Sequence, residues 1–78
     1  MPTKEVILKE IWEEWDYQDK ECKRLEDEGN FYGAGRFLDE REEIEDELYQ
    51  QLVECCESEA EAELLYKEKR IQWGDSRK

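Results

Sequence analysis

Apolar residues recur every three or four positions along two long segments of this chain, and an amphipathic helix requires that spacing. The stripe of the first segment consists of Leu8, Ile11, Trp15, Gln18, Cys22 and Leu25. The stripe of the second consists of Ala34, Phe37, Arg41, Ile44, Leu48, Gln51 and Cys55, with Leu38 and Leu52 beside it. The spacing therefore predicts an all-α chain with helices over about residues 4–28 and 31–56.

A turn between these helices is indicated by Gly29 and Asn30. Glycine suits the left-handed position after a helix, and asparagine is a good N-cap for the next one. A tight turn folds the two helices into an antiparallel hairpin in which Gln18 lies opposite Arg41. The two polar members of the stripes then share one layer, which supports this register, and Arg41 is expected to reach Asp19 or Glu14.

Helix ends are marked by Thr3, a predicted N-cap, and by Ser58, which has capping-box spacing to Glu61. We therefore expect a third helix over about residues 59–72, after a bend near Glu57 and Ser58. The alternative is an unbroken helix from residue 31 onward that pairs with a second copy. The prediction is a small three-helix arrangement and one domain over residues 1–78, with 74–78 as a frayed tail.

Two glycines fall inside the first turns of the second helix, where each costs up to about 1 kcal/mol relative to alanine. They are Gly33 and Gly35. We interpret them as positions where the first helix approaches closely, because a phosphate-binding loop does not fit so acidic a neighbourhood.

The chain carries 24 acidic and 12 basic residues, giving a formal charge of −12. Such a chain repels nucleic acid and anionic membranes, so its expected partner is a protein with a basic surface. Three Trp, four Tyr and two Phe in 78 residues argue against disorder.

Cys22, Cys55 and Cys56 fit no zinc spacing, and no histidine completes a site. They are interpreted as reduced thiols, and no metal or cofactor is predicted. No basic segment followed by an apolar run opens the chain, and no membrane span is recognisable. We therefore expect a soluble cytoplasmic protein, without membrane insertion or direct nucleic-acid binding.

The densest charge lies between Asp39 and Glu47, where nine residues carry seven carboxylates and one guanidinium. As a helix, this run holds about one net negative charge per 2 Å of axis, approaching the linear charge density of duplex DNA. No lysine follows at i+4 to neutralise the outward acids, so the run destabilises the free helix. A solvated face that only maintains solubility is the alternative. The predicted partner-binding acids are Asp39, Glu42, Glu43, Asp46 and Glu47, joined on the first helix by Glu10, Glu13 and Glu14.

Aromatic residues offer a second candidate surface. Tyr32 at the hairpin tip and Tyr17 on the outer face of the first helix are predicted anchors for a partner, since aromatic side chains among charges are frequent hot spots. Trp73 is a further candidate. An enzyme is not expected, because there is no histidine and neither Ser58 nor Ser76 has a glycine elbow or a base beside it.

In size, acidity, cysteine use and the aromatic turn Gly29-Asn30-Phe31-Tyr32-Gly33, the chain resembles the small acidic proteins that bacteriophages make to inhibit host machinery, some of which mimic DNA. The resemblance implies a non-catalytic inhibitor or adaptor that binds a host protein, in the host cytoplasm. One alternative is a helix-docking protein that binds or disrupts a coiled-coil partner, such as a cell-division or assembly protein. Another is a structural homodimer formed through the third helix, although a monomer is expected.

Overall fold

The computed structural model describes residues 3–77, which form three α-helices and, within that range, no strand. Helix α1 spans Lys4–Asp27, α2 spans Phe31–Cys55 and α3 spans Glu59–Ser76. Helices α1 and α2 form a hairpin, and α3 packs against both. The predicted all-α hairpin with a third helix is therefore confirmed.

Each helix begins at a side-chain cap. The hydroxyl of Thr3 accepts the N–H of Val6 at 3.3 Å, and Asn30 Oδ1 accepts the N–H of Gly33 at 2.9 Å. At α3, Ser58 Oγ accepts the N–H of Glu61 at 3.2 Å. These bonds satisfy N–H groups that lack partners in the first turn of a helix, and all three caps were predicted from the sequence.

The two glycines in the first turns of α2, Gly33 and Gly35, do not have the role predicted for them. A Cβ on Gly33 would lie 2.5 Å from the Asn30 side chain, so Gly33 makes room for the cap and not for α1. A Cβ on Gly35 would meet no atom within 4 Å. The predicted close approach of α1 is therefore wrong at both positions, and nothing within the fold requires glycine at position 35.

The bend between α2 and α3 occupies Cys56–Ser58, where Cys56 adopts the extended conformation (φ −98°, ψ 160°). The Glu61 carboxylate holds this elbow: it accepts a hydrogen bond from Lys4 Nζ at 2.7 Å and another from the Glu57 N–H at 3.1 Å. These bonds, that from Lys4 first, lower the pKa of Glu61. The predicted bend is confirmed, and the unbroken helix is not formed.

The hydrophobic core lies where the three helices meet. Its buried members are Ile7, Ile11, Trp15, Leu52 and Ala62. Ile7 and Leu52 are both fully buried, because α3 covers them. By contrast, Leu64 and Ile71 on α3 are 59% and 64% exposed.

The C-terminal end of α3 is tied to α1. Trp73 Nε1 donates to Asp16 Oδ1 at 2.8 Å, and Arg77 pairs with both Asp16 and Asp19. The guanidiniums of Arg70 and Arg77 lie 4.5 and 4.7 Å from the Trp73 ring centroid. Helix α3 thus runs four residues past its predicted end, and the frayed-tail prediction is wrong up to Arg77; residue 78 lies outside the described residues.

Candidate partner-binding surface

A buried polar layer fixes α1 against α2. The Glu14 carboxylate accepts two hydrogen bonds from the Arg41 guanidinium, through Nη2 and, at 2.9 Å, through Nε. Gln18 Nε2 donates to the same carboxylate at 3.3 Å. The hydrogen bond to Glu14 raises the pKa of Arg41, and the guanidinium also lies 4.8 Å from the centroid of the Tyr17 ring. The predicted shared layer of Gln18 and Arg41 is present, and Glu14 is its centre.

Glu14 therefore departs from its prediction as an exposed partner-binding acid. The residue is only 7% exposed, and its carboxylate is occupied by Arg41 and Gln18. The sequence indicated either Asp19 or Glu14 as the partner of Arg41. Asp19 is engaged by Lys23 and Arg77, and Glu14 takes the arginine.

The other two predicted acids of α1 border an open groove between α1 and α2. Glu10, Glu13 and Tyr17 line it together with Leu48 of α2, around a volume of about 270 Å³. Tyr17 is 46% exposed, but its ring packs on Phe37 with centroids 5.6 Å apart. One groove thus contains Glu10, Glu13 and Tyr17, and the Tyr17 ring packs against Phe37 of the same chain.

The exposed acids of α2 follow one face of the helix. This acidic stripe consists of Asp39, Glu42, Glu43 and Asp46: Glu42 and Glu43 are adjacent, and each lies three or four residues from Asp39 and from Asp46. Burial raises the pKa of Tyr66 on α3, and the negative charges of Glu45 and Asp46 raise it further. Helical periodicity places Glu47 between the stripe and the α1–α2 groove.

No member of the acidic stripe, nor Glu47, Glu10 or Glu13, makes an ion pair with any residue in the range 3–77. The sequence explains this, because no lysine or arginine occurs between Arg41 and Lys67 while ten carboxylates do. Like charges at i, i+4 destabilise a helix in the absence of a counter-charge. The stripe is thus a concentrated, unneutralised anionic surface.

At the hairpin tip, exposed aromatic residues lie beside the start of the stripe. Phe31 and Tyr32 are 69% and 82% exposed, and they line an open cavity of about 430 Å³ with Gly35, Arg36 and Asp39. Tyr32 therefore occupies the exposed position predicted for an anchor. Trp73 does not, because its ring packs on Trp15 at 6.0 Å.

Sequence reasoning missed Gly35 as a neighbour of these aromatics. The signal was its spacing, since Gly35 stands at i+4 from Phe31 and therefore on the same helix face. It also missed Asp16 and Asp19 as the acids that hold α3. Their partners lie 57 to 61 residues away in sequence, beyond any local pattern.

Two further statements apply to residues 3–77, the part of the chain that the structure describes. No helix there is both long and apolar enough to cross a membrane. No group of three or more histidine, cysteine or acidic side chains there is arranged to hold a metal ion.

Comparisons with protein-family models, curated proteins and solved structures find no match, so function has to be inferred from the side chains themselves.

Proposed function

We propose that this chain is a non-catalytic acidic adaptor or inhibitor that binds a basic protein surface through its carboxylate-rich helical face. The acids in this role are Asp39, Glu42, Glu43, Asp46 and Glu47, with Glu10 and Glu13 along the neighbouring groove. A surface that normally binds nucleic acid is the natural target, which would make the chain a nucleic-acid mimic of the kind bacteriophages use against host proteins, acting in the host cytoplasm.

The observation that carries this proposal is the acidic stripe without counter-charges. A protein that needed only solubility could intersperse lysines at i+4 and gain helix stability from each pair. Here α1 and α3 carry such pairs, for example Lys23 with Asp19 and Lys67 with Glu63. Helix α2 has one, Arg36 with Glu40, and none after it among the described residues. A basic partner would relieve this repulsion on binding.

Charge reversal tests the proposal. The variant Glu43→Lys/Asp46→Lys/Glu47→Lys is compared with a control of equal net charge, Glu26→Lys/Asp27→Lys/Glu68→Lys, whose acids are exposed and make no ion pair within residues 3–77. Both variants and the unmodified chain are immobilised, and basic proteins are captured from a bacterial lysate at about 50 and about 300 mM salt.

At low salt, the unmodified chain and the control are both expected to retain a partner. At high salt, the amount retained should fall about tenfold, since screening weakens exposed charge pairs. The stripe variant is expected to retain about tenfold less even at low salt. Retention that ignores salt, or that falls equally in both variants, would contradict the proposal, because net charge alone would then explain the capture.

A homodimer is a second candidate function, favoured by the exposed Leu64 and Ile71 on α3. They stand at i, i+7 and therefore share a face. If this face pairs with a second copy, light scattering at about 10 and about 500 μM should give a mass that rises toward twice the monomer mass of 9.5 kDa. A constant monomer mass would eliminate this candidate.

A further inference from the structure

The hairpin tip presents an apolar patch that the rest of the fold leaves uncovered. We call this the tip patch: Phe31, Tyr32 and Gly35. Its two aromatic side chains are 69% and 82% exposed. Helix α3 ends at Ser76, and Arg77 after it pairs with Asp16 and Asp19, some way down α1 from the turn.

Gly35 lies at the centre of this patch without a role in the fold. A Cβ there would meet no atom within 4 Å, and glycine weakens a helix interior. Gly33, by contrast, accommodates the Asn30 cap. The consequence of glycine at position 35 is a notch between Phe31, Tyr32 and Asp39, where another backbone or side chain can come close to the axis of α2.

The tip patch and the acidic stripe are continuous. Tyr32, Gly35, Asp39, Glu42 and Asp46 follow one another at steps of three and four residues, so they occupy one face of α2. The N-terminal part of this face is apolar. Unneutralised carboxylates continue the face over roughly 10 Å, from Asp39 to Asp46. Charge complementarity then specifies the occupant: apolar where it meets the notch and basic along the stripe.

We propose that the tip patch and acidic stripe together bind one amphipathic basic helix of a partner protein, with an apolar side chain seated over Gly35. Its lysines or arginines, at i+4, i+7 and i+11 from that side chain, meet the carboxylates of the stripe. Helix-on-helix packing at a glycine allows a close approach of the two axes. This inference rests on the proposed function, since it uses the same acids, and it adds the partner's secondary structure and its apolar anchor.

Two synthetic helical peptides of about five turns test it. The first carries one leucine followed by lysines at i+4, i+7 and i+11, and the second has glutamine in place of that leucine. Each is made in both chain directions, labelled, and titrated with the protein by fluorescence anisotropy at about 50 mM salt. In at least one direction the leucine peptide is expected to bind about five- to tenfold more tightly.

Gly35→Gln is the decisive variant, because it fills the notch while glutamine is a better helix former than glycine. It is expected to abolish the advantage of the leucine peptide. The control, Leu64→Gln, introduces the same residue at an exposed position on α3 and is expected to preserve that advantage. Circular dichroism of both variants should show unchanged helix content.

Equal affinity of the two peptides in both directions, or a leucine advantage that survives Gly35→Gln, would overturn the inference. In either case, the proposed function would still stand if peptide binding fell with salt and with reversal of the charges at Glu43 and Asp46. Failure of both peptides to bind in a salt-dependent way would overturn both proposals.

Discussion

Replacing Trp15 with alanine is expected to lower the free energy of unfolding by about 3–5 kcal/mol, the range for deleting a large buried aromatic side chain. Trp15 is 2% exposed and packs against three residues of α3. Its ring lies 5.3 Å from Tyr66 and 6.0 Å from Trp73, and the Arg70 guanidinium lies 4.9 Å from its centroid. The substitution therefore removes a core side chain and the platform on which α3 rests.

A domain of this length has about 4–12 kcal/mol of stability in total, so the variant should be close to unfolding in buffer. Urea denaturation followed by far-ultraviolet circular dichroism measures the loss without relying on tryptophan fluorescence. Trp12→Ala is the matched control. Trp12 is partly exposed, its ring lies 5.2 Å from Lys69 Nζ, and its loss is expected to cost about 1–2 kcal/mol. Equal losses in the two variants would mean that Trp15 is not the residue on which the three helices converge.

The helices and their boundaries follow from local chemistry, which is why the sequence predicted them. Thr3, Asn30 and Ser58 each offer an oxygen to the N–H groups of the next turn, and Gly29 adopts a φ of 80° that other residues reach only with strain. These interactions span three or four residues. A pattern of that range is visible in one sequence without knowledge of the packing.

The face that α3 turns toward the core was predicted less well. The core itself lies toward Ile7 and Leu52, because α3 covers both. The side chains of α3 that pack on the core or on α1 include Ala62, Tyr66, Lys69, Arg70 and Trp73. Two of these five are cationic, so a search for apolar residues favours Leu64 and Ile71, which are exposed.

In the candidate site, too, local features were predicted better than a long-range contact. The outward positions of Asp39, Glu42, Glu43 and Asp46 follow from helical periodicity and were predicted. Glu14 and Glu13 are neighbours on α1, yet one is buried and the other is exposed. Glu14 stands at i+3 from Ile11 and i−4 from Gln18, on the inward side of α1, and Arg41, 27 positions away in sequence, supplies the counter-charge for its buried carboxylate.

Replacing Arg41 with methionine is expected to destabilise the protein by about 2–3 kcal/mol, because it leaves the Glu14 carboxylate buried with Gln18 as its remaining hydrogen-bond donor. The value is below that for a fully buried pair since the Arg41 side chain is 27% exposed, against 6% for Glu14. Arg36→Met is the matched control on the same helix. It breaks an exposed pair with Glu40 at 3.5 Å and should cost less than about 0.5 kcal/mol.

The double variant Glu14→Leu/Arg41→Met separates a buried-charge penalty from a loss of packing. Both polar groups are then replaced by apolar side chains of similar volume, and urea denaturation should recover most of the lost stability. A double variant as unstable as Arg41→Met alone would show that Arg41 acts through its contact with Tyr17 instead. Because the acidic stripe lies on the outer face of α2, the double variant should also retain salt-dependent partner binding, which assigns Glu14 to the fold and the exposed acids to recognition.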